Sequence, residues 1–177
     1  DVRWYYITNA SAKTYCKDKV IYYDTESSFL RFGDKAFAAD RIWSFWEKDG
    51  KVAIKNYKGE YFGTAPGGTG GGTAFGVVDT PNYIYTIQSA FAAFIIKDTG
   101  TELHAQESGQ KIVRWGAEEG GASLWRFDEV DVSNAQAEIS STTVVQGKVT
   151  TAIGNKNQPM VRAAIRVSGL TGSVSFE

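Results

Sequence analysis

The sequence predicts an all-β protein built from repeated units, and two observations carry that reading. Its apolar residues fall in short runs, most of them four to seven long, rich in aromatic and β-branched types and separated by Gly, Asp, Asn or Lys-Gly. That is the texture of short strands between turns. The runs also recur at a period of about forty residues, and a fixed period decides architecture before any single residue does. No convincing segment spaces its apolar residues at the helical period, although AFAADRIW (36 to 43) has room for one helical turn.

The strands follow in order: WYYI (4 to 7), VIYY (20 to 23), FLRF (29 to 32), IWSFW (42 to 46), VAIKNY (52 to 57), YIYTI (83 to 87), FAAFII (91 to 96), KIVRW (111 to 115) and LWRF (124 to 127). Three stretches starting at Ile7, Ile54 and Ile95 superpose without a gap, 47 and 41 residues apart. Eight positions on, across a turn, stand Tyr15, Phe62 and Leu103. Eight positions before Ile54 and Ile95 stand Trp46 and Ile87, and Trp125 takes that place at the end of the third copy. Three units of about forty residues, each of roughly four strands, thus run from about residue 3 to 130. Trp46 and Trp125 are expected to be buried where the three units meet, each worth a few kcal/mol by area.

Ser44-Phe45-Trp46, Tyr85-Thr86-Ile87 and Ser123-Leu124-Trp125 close the three units. In this the sequence resembles the ricin-type β-trefoil, whose repeats each end in Gln-x-Trp or a relative of it; the resemblance covers about seven tenths of the chain. It implies a β-trefoil over 1–130. After Val130 the texture changes to AEISSTTVVQGKVTTA, QPMVRAAIRVSG and SVSFE, three strand-like pieces with glycine turns. Too few to enclose a core alone, they predict that residues 131–177 begin a second β-domain, a partial β-sandwich. The Val-Ser-Gly after an alternating strand is similar to the strand-rich region ahead of the catalytic propeller in secreted bacterial BNR-repeat sialidases.

Composition narrows the function. A net charge of -1 and no Lys/Arg run argue against nucleic acid and anionic membranes as partners, and no apolar run reaches the roughly 18 residues of a spanning helix. The lone Cys16 and lone His104 make a Cys- or His-based zinc site and a Ser-His-Asp triad improbable, and no cofactor is expected. The chain starts at Asp1, and its single methionine is Met160; a piece of a longer product is expected. Glycoside hydrolysis needs two opposed carboxylates. Glu102, Glu107, Glu118, Glu119 and Asp128 flank turns and read as solvated surface, and the sequence boxes of sialidase catalysis are missing.

The glycine-rich GTAPGGTGGGTAFG (63 to 76) lacks the Gly-Lys-Ser/Thr and following helix of a phosphate-binding loop. It reads as a long flexible loop in the second repeat, at most a mobile flap over a neighbouring site. Sugar binding is the more promising chemistry: an aromatic platform for the C–H face and a few polar groups for hydroxyls. In the ricin-type family each repeat supplies an Asp after its second strand, an aromatic about a dozen residues on, and Asn-Gln before the closing Trp. The resemblance puts Gln106 at the Asp position of the third repeat, Trp115 at the platform, and Ala122-Ser123 at the Asn-Gln. Arg114 and Gly116 suggest that Trp115 stands at a partly exposed strand end, although a tryptophan in a strand of an all-β domain is more often a core residue. In the first repeat Asp18 falls at the acid position, Tyr22 or Tyr23 at the platform, and Ser44 at the Gln. The second repeat has Ala65 in place of the acid.

The resulting expectation is a non-catalytic carbohydrate-binding module of a secreted or cell-surface bacterial glycosidase, the resemblance pointing to a sialidase. Its partners would be glycans ending in galactose or sialic acid, and the rest of the parent enzyme. The alternative is a trefoil acting as a spacer or protein-docking domain with no sugar site.

Overall fold

The computed structural model describes residues 1–116 and 120–133, together with the backbone of 148–151. Twelve strands fall in three sets of four: β1 (Trp4–Asn9), β2 (Val20–Asp24), β3 (Phe29–Gly33) and β4 (Trp43–Lys48); β5 (Lys51–Asn56), β6 (Tyr61–Thr64), β7 (Phe75–Val78) and β8 (Thr86–Ala90); β9 (Ala93–Lys97), β10 (Glu102–Gln106), β11 (Lys111–Trp115) and β12 (Trp125–Asp131). A thirteenth, β13 (Lys148–Thr151), pairs antiparallel with the end of β12. The rest of the expected second β-domain, residues 134–147 and 152–177, lies outside the described residues. Residues 36–43 form no helix; the segment turns through a single Arg41 N–H to Ala38 carbonyl bond. Among the described residues no helix is long and apolar enough to cross a membrane.

The first and fourth strands of each set close into a six-membered ring. β1 pairs with β12 and β4, β4 with β5, β8 with β9 and β9 with β12, and the Val52–Tyr85 bridge joins β5 to β8. The middle strands form three hairpins, β2–β3, β6–β7 and β10–β11. These meet one another through Lys111–Arg31 and Ala74–Val113 pairs. Closure removes the free edges that an open sheet would expose.

Strand alternation fills the ring. Inward residues of the first strands are Tyr5 and Ile7, Val52 and Ile54, Phe94 and Ile96; those of the fourth are Trp43 and Phe45, Tyr85 and Ile87, Trp125 and Phe127. Phe127 lies at the centre, 4.8 Å from the Phe45 ring and 4.9 Å from that of Phe94. Trp43 and Trp125 open their strands identically: each indole N–H donates to a carbonyl of the set's second strand, Ile21 at 2.9 Å and Leu103 at 3.0 Å. In the second set Tyr85 cannot reach, and the Phe62 carbonyl instead accepts the Asn82 amide at 3.2 Å.

These bonds correct the expected register. The partner of Trp125 is Trp43, not Trp46, and Ile87 belongs with Phe45 and Phe127. The third repeat likewise aligns on Ile96 rather than Ile95. An odd shift along a strand moves a side chain to the opposite face. Trp46, three residues past Trp43, is therefore buried outside the ring, against Ala53 and Tyr61, with its indole N–H on Ser44 Oγ at 2.8 Å.

Candidate functional site

The register defines equivalent outer-face positions on the three hairpins. Leu103, Ile21 and Phe62 are equivalent, so Gln106 corresponds to Asp24 and Ala65, and His104 to Tyr22 and Gly63. Trp115, opposite Glu102, corresponds to Gly33 opposite Val20 and Val78 opposite Tyr61. The closing tetrapeptides are Asp40-Arg41-Ile42-Trp43, Asn82-Tyr83-Ile84-Tyr85 and Ala122-Ser123-Leu124-Trp125. Their spacing, 42 and then 40 residues, was available in the sequence, but the Ser-x-Trp likeness at 44–46 concealed it.

In the third repeat the outer face carries one open aromatic surface. Trp115 is 41% exposed, and its ring lies on the His104 imidazole, centroids 4.6 Å apart and planes 12° from parallel. His104 is held from beneath, its Nδ1 2.9 Å from the Ser123 Oγ. Strand pairing brings the two rings within reach: His104 faces Val113, so Trp115 two residues on is its diagonal neighbour on the same face. Ser123 is fully buried; it touches His104 and not the solvent, so its part is to fix the ring that supports Trp115. Gln106 lies next along β10 on the same face, with its amide donating to the Ser108 carbonyl at 2.8 Å and its carbonyl oxygen left to accept.

The first repeat lacks that surface. Gly33 stands where Trp115 would be, and a side chain there would meet the Tyr22 ring at 3.1 Å and the Arg41 guanidinium at 3.4 Å. Arg41, at the Ser123 position, lies over the Tyr22 ring at 4.0 Å and covers it. Tyr23 points the other way, against the core. Asp18 sits in the turn before β2 at φ +61, its carboxylate 3.4 Å from Arg126. The residue equivalent to Gln106 is Asp24, which accepts from the Ser27 hydroxyl at 2.6 Å and faces Arg31 at 3.5 Å. The Ser27 hydrogen bond foremost, against some opposing burial, holds the Asp24 carboxyl below its usual range. In the second repeat Val78 fills the space over Gly63.

Three other expectations meet a different arrangement. Arg114 is buried rather than at an exposed strand end: its Nε is 3.2 Å from Asp98 and its guanidinium lies over Phe75 at 4.0 Å. It also latches the glycine-rich loop, donating to the Gly68 and Ala74 carbonyls and the Thr64 and Thr73 hydroxyls, while its backbone pairs with Gly72 and Thr73. Asp128 and Glu102 are buried as well; Asp128 accepts from Thr8, Lys35 and Arg126 and is engaged structurally. Burial pushes the Cys16 thiol up, and its Sγ is bonded to Asn9 Oδ1 at 3.3 Å, so it is no ready nucleophile.

A ring of six strands capped by three hairpins has counterparts among solved structures. It superposes on the Macrolepiota procera ricin B-like lectin in complex with lactose, at a TM-score of 0.59 and 22% identity, over 70% of this chain and 93% of that one. The fold is the β-trefoil of the ricin B-like lectins. The designed three-fold symmetric protein ThreeFoil matches at a TM-score of 0.58 and 12% identity, over 70% of this chain and 96% of that one. A GlcNAcα1-4Gal-releasing endo-β-galactosidase from Clostridium perfringens matches at 0.57 and 17% identity over 71% of this chain. The chain spans about a third, 32%, of that enzyme's length. No protein-family model and no curated protein matches the sequence.

Proposed function

We propose that the chain is a non-catalytic carbohydrate-binding module with a single glycan site, on the third repeat. The observation that carries this reading is Trp115, an exposed ring kept rigid by the His104 stack and the Ser123 hydrogen bond beneath it. A rigid aromatic shelf takes the C–H face of a pyranose, and the Gln106 amide, further along the same face beyond His104, takes hydroxyls. Asp18, Tyr22 and Tyr23 drop from the reading because the first repeat's shelf is filled by Arg41 and lacks a ring at Gly33. The β-trefoil lectins of like fold, including one bound to lactose and one from Polyporus squamosus bound to Neu5Acα2-6Galβ1-4GlcNAc, support galactose-terminated or sialylated glycans as ligands. Likeness to part of an endo-β-galactosidase supports an accessory role beside a secreted or cell-surface glycosidase. A sialidase parent rests only on the resemblance of residues 131–177.

With one shallow site the expected dissociation constant is millimolar, about -4 kcal/mol, useful when linkage to a catalytic domain raises the local concentration. Titration with lactose and with sialyllactose, followed by Trp fluorescence and NMR, tests the reading. Trp115→Ala should weaken binding at least about tenfold, a loss of about 1.4 kcal/mol, with the melting temperature nearly unchanged. A native chain that binds no glycan on an array would make it a spacer instead.

A further inference from the structure

The turns that join successive repeats are equivalent two-residue hairpins with unlike sequences. Between β4 and β5, Lys48 faces Lys51 and the turn is Asp49-Gly50, at φ +53 and +79. Between β8 and β9, Ala90 faces Ala93 and the turn is Phe91-Ala92, at φ +50 and +59. Two positive φ values make the type I′ turn, which suits Asp-Gly and Asn-Gly; side chains with a bulky Cβ substituent avoid that region. Phe91 is also 79% exposed, so core packing does not offset the strain. Strain of this kind persists where the surroundings use it.

The ring stands at an open cleft of about 600 Å³ lined by Lys13, Gln88, Ser89, Ala90, Gly120 and Gly121. Lys13 comes from the β1–β2 connection and is exposed. Gly120 and Gly121 form a wall without side chains, and the short turn they begin ends in Ser123, the residue under His104. We propose that this cleft is a second subsite, separate from Trp115, for a pyranose carrying a carboxylate. The sugar's C–H face lies on Phe91, its hydroxyls meet the Gln88 amide, and its carboxylate meets the Lys13 ammonium. The proposal stands whether or not Trp115 binds sugar.

An NMR titration of the native chain with methyl β-glucuronide and methyl β-glucoside, which differ in the carboxylate, tests it. The amides of Lys13, 88–92 and 120–121 should shift saturably, with the glucuronide about fivefold tighter, the upper end for an exposed ion pair. That preference should shrink in 1 M salt, where screening acts over about 3 Å. Phe91→Asn should abolish binding of both glycosides while raising the melting temperature, because Asn accepts the turn's backbone. Lys13→Gln should equalise the two, and Trp115→Ala should leave these shifts intact. Unmoved amides, equal affinity for the two glycosides in the native chain, or undiminished binding by Phe91→Asn would each overturn the proposal.

Discussion

The β2–β3 and β10–β11 hairpins share a register, an indole hydrogen bond beneath them and a place in the cap, yet one is closed and the other open. Outward, the first carries Tyr22, Gly33 and Arg41, the third His104, Trp115 and Ser123. In the first the long cationic side chain comes from the closing segment and covers the hairpin's ring. In the third the closing segment offers a short hydroxyl that props a ring from below, leaving the tryptophan open. Three-fold folds thus divide labour by face: the inner positions repeat because the ring needs them, and the outer ones are free to differentiate.

The largest effect should follow from attacking what the two repeats share. Trp125→Ala removes a fully buried indole and orphans the Leu103 carbonyl, so a loss of about 3–5 kcal/mol is expected. Trp43→Ala should cost a similar amount, whereas Trp115→Ala should cost under about 1 kcal/mol. Urea denaturation of the three variants measures the contrast directly. Equal losses for Trp115 and Trp125 would erase the distinction between faces.

Arg114→Ala should come next, at about 2–3 kcal/mol, because it removes the cation facing Asp98, whose little-exposed carboxylate keeps only its Thr101 and Gly100 bonds. It also unlatches the glycine loop from the third repeat, so limited proteolysis should cut within 66–72 in the variant and spare the native chain. A smaller effect should come from rebuilding the open hairpin in the first repeat. Gly33→Trp with Tyr22→His and Arg41→Ser copies the third repeat's outer face. Gly33 is not in the left-handed backbone region, so a side chain is permitted once Tyr22 and Arg41 withdraw. A stacked platform is worth about 0.5–1.5 kcal/mol, and titration calorimetry with lactose should then find one more site per chain than in the native protein.

Much of the fold was legible because the ring depends on period and alternation, which a sequence displays openly. Ile7 and Ile54 could be aligned from spacing alone, whereas Trp115 was pointed to only by the resemblance to the ricin-type repeat. What was hidden depended on hydrogen bonds between distant residues. Ser44-Phe45-Trp46 looks more like Ser123-Leu124-Trp125 than Asp40-Arg41-Ile42-Trp43 does, and only the indole bonds to Ile21 and Leu103 distinguish Trp43 from Trp46. The same three-residue slip obscured Arg41, and a six-residue slip, pairing Leu103 with Tyr15 instead of Ile21, led to Asp18 in place of Asp24. The burial of Arg114 was equally hidden, since its partners Asp98, Gly68 and Thr64 lie 16, 46 and 50 residues away.

The smallest expected effect separates the two hairpins by pH. Asp24 in the first and Gln106 in the third occupy one position, and only the former titrates. The Ser27 hydroxyl, the backbone N–H groups of Glu26 and Ser27, and Arg31 lower the folded-state value of Asp24. A depressed carboxyl stabilises the folded form fully above the unfolded value, about 3.9, and that contribution disappears as pH falls through the lower folded value. Acidification should therefore release the Asp24–Ser27 turn before the ring itself opens. Protection of the amides at 26–28 against exchange, relative to their intrinsic rates, should fall below about pH 4, whereas protection at 108–110 should not change. Asp24→Asn should make the first hairpin behave like the third, because the amide keeps an acceptor for Ser27 and has no proton to gain. If the native turn and this variant respond alike to acid, the capping network around Asp24 is not what holds the turn between β2 and β3.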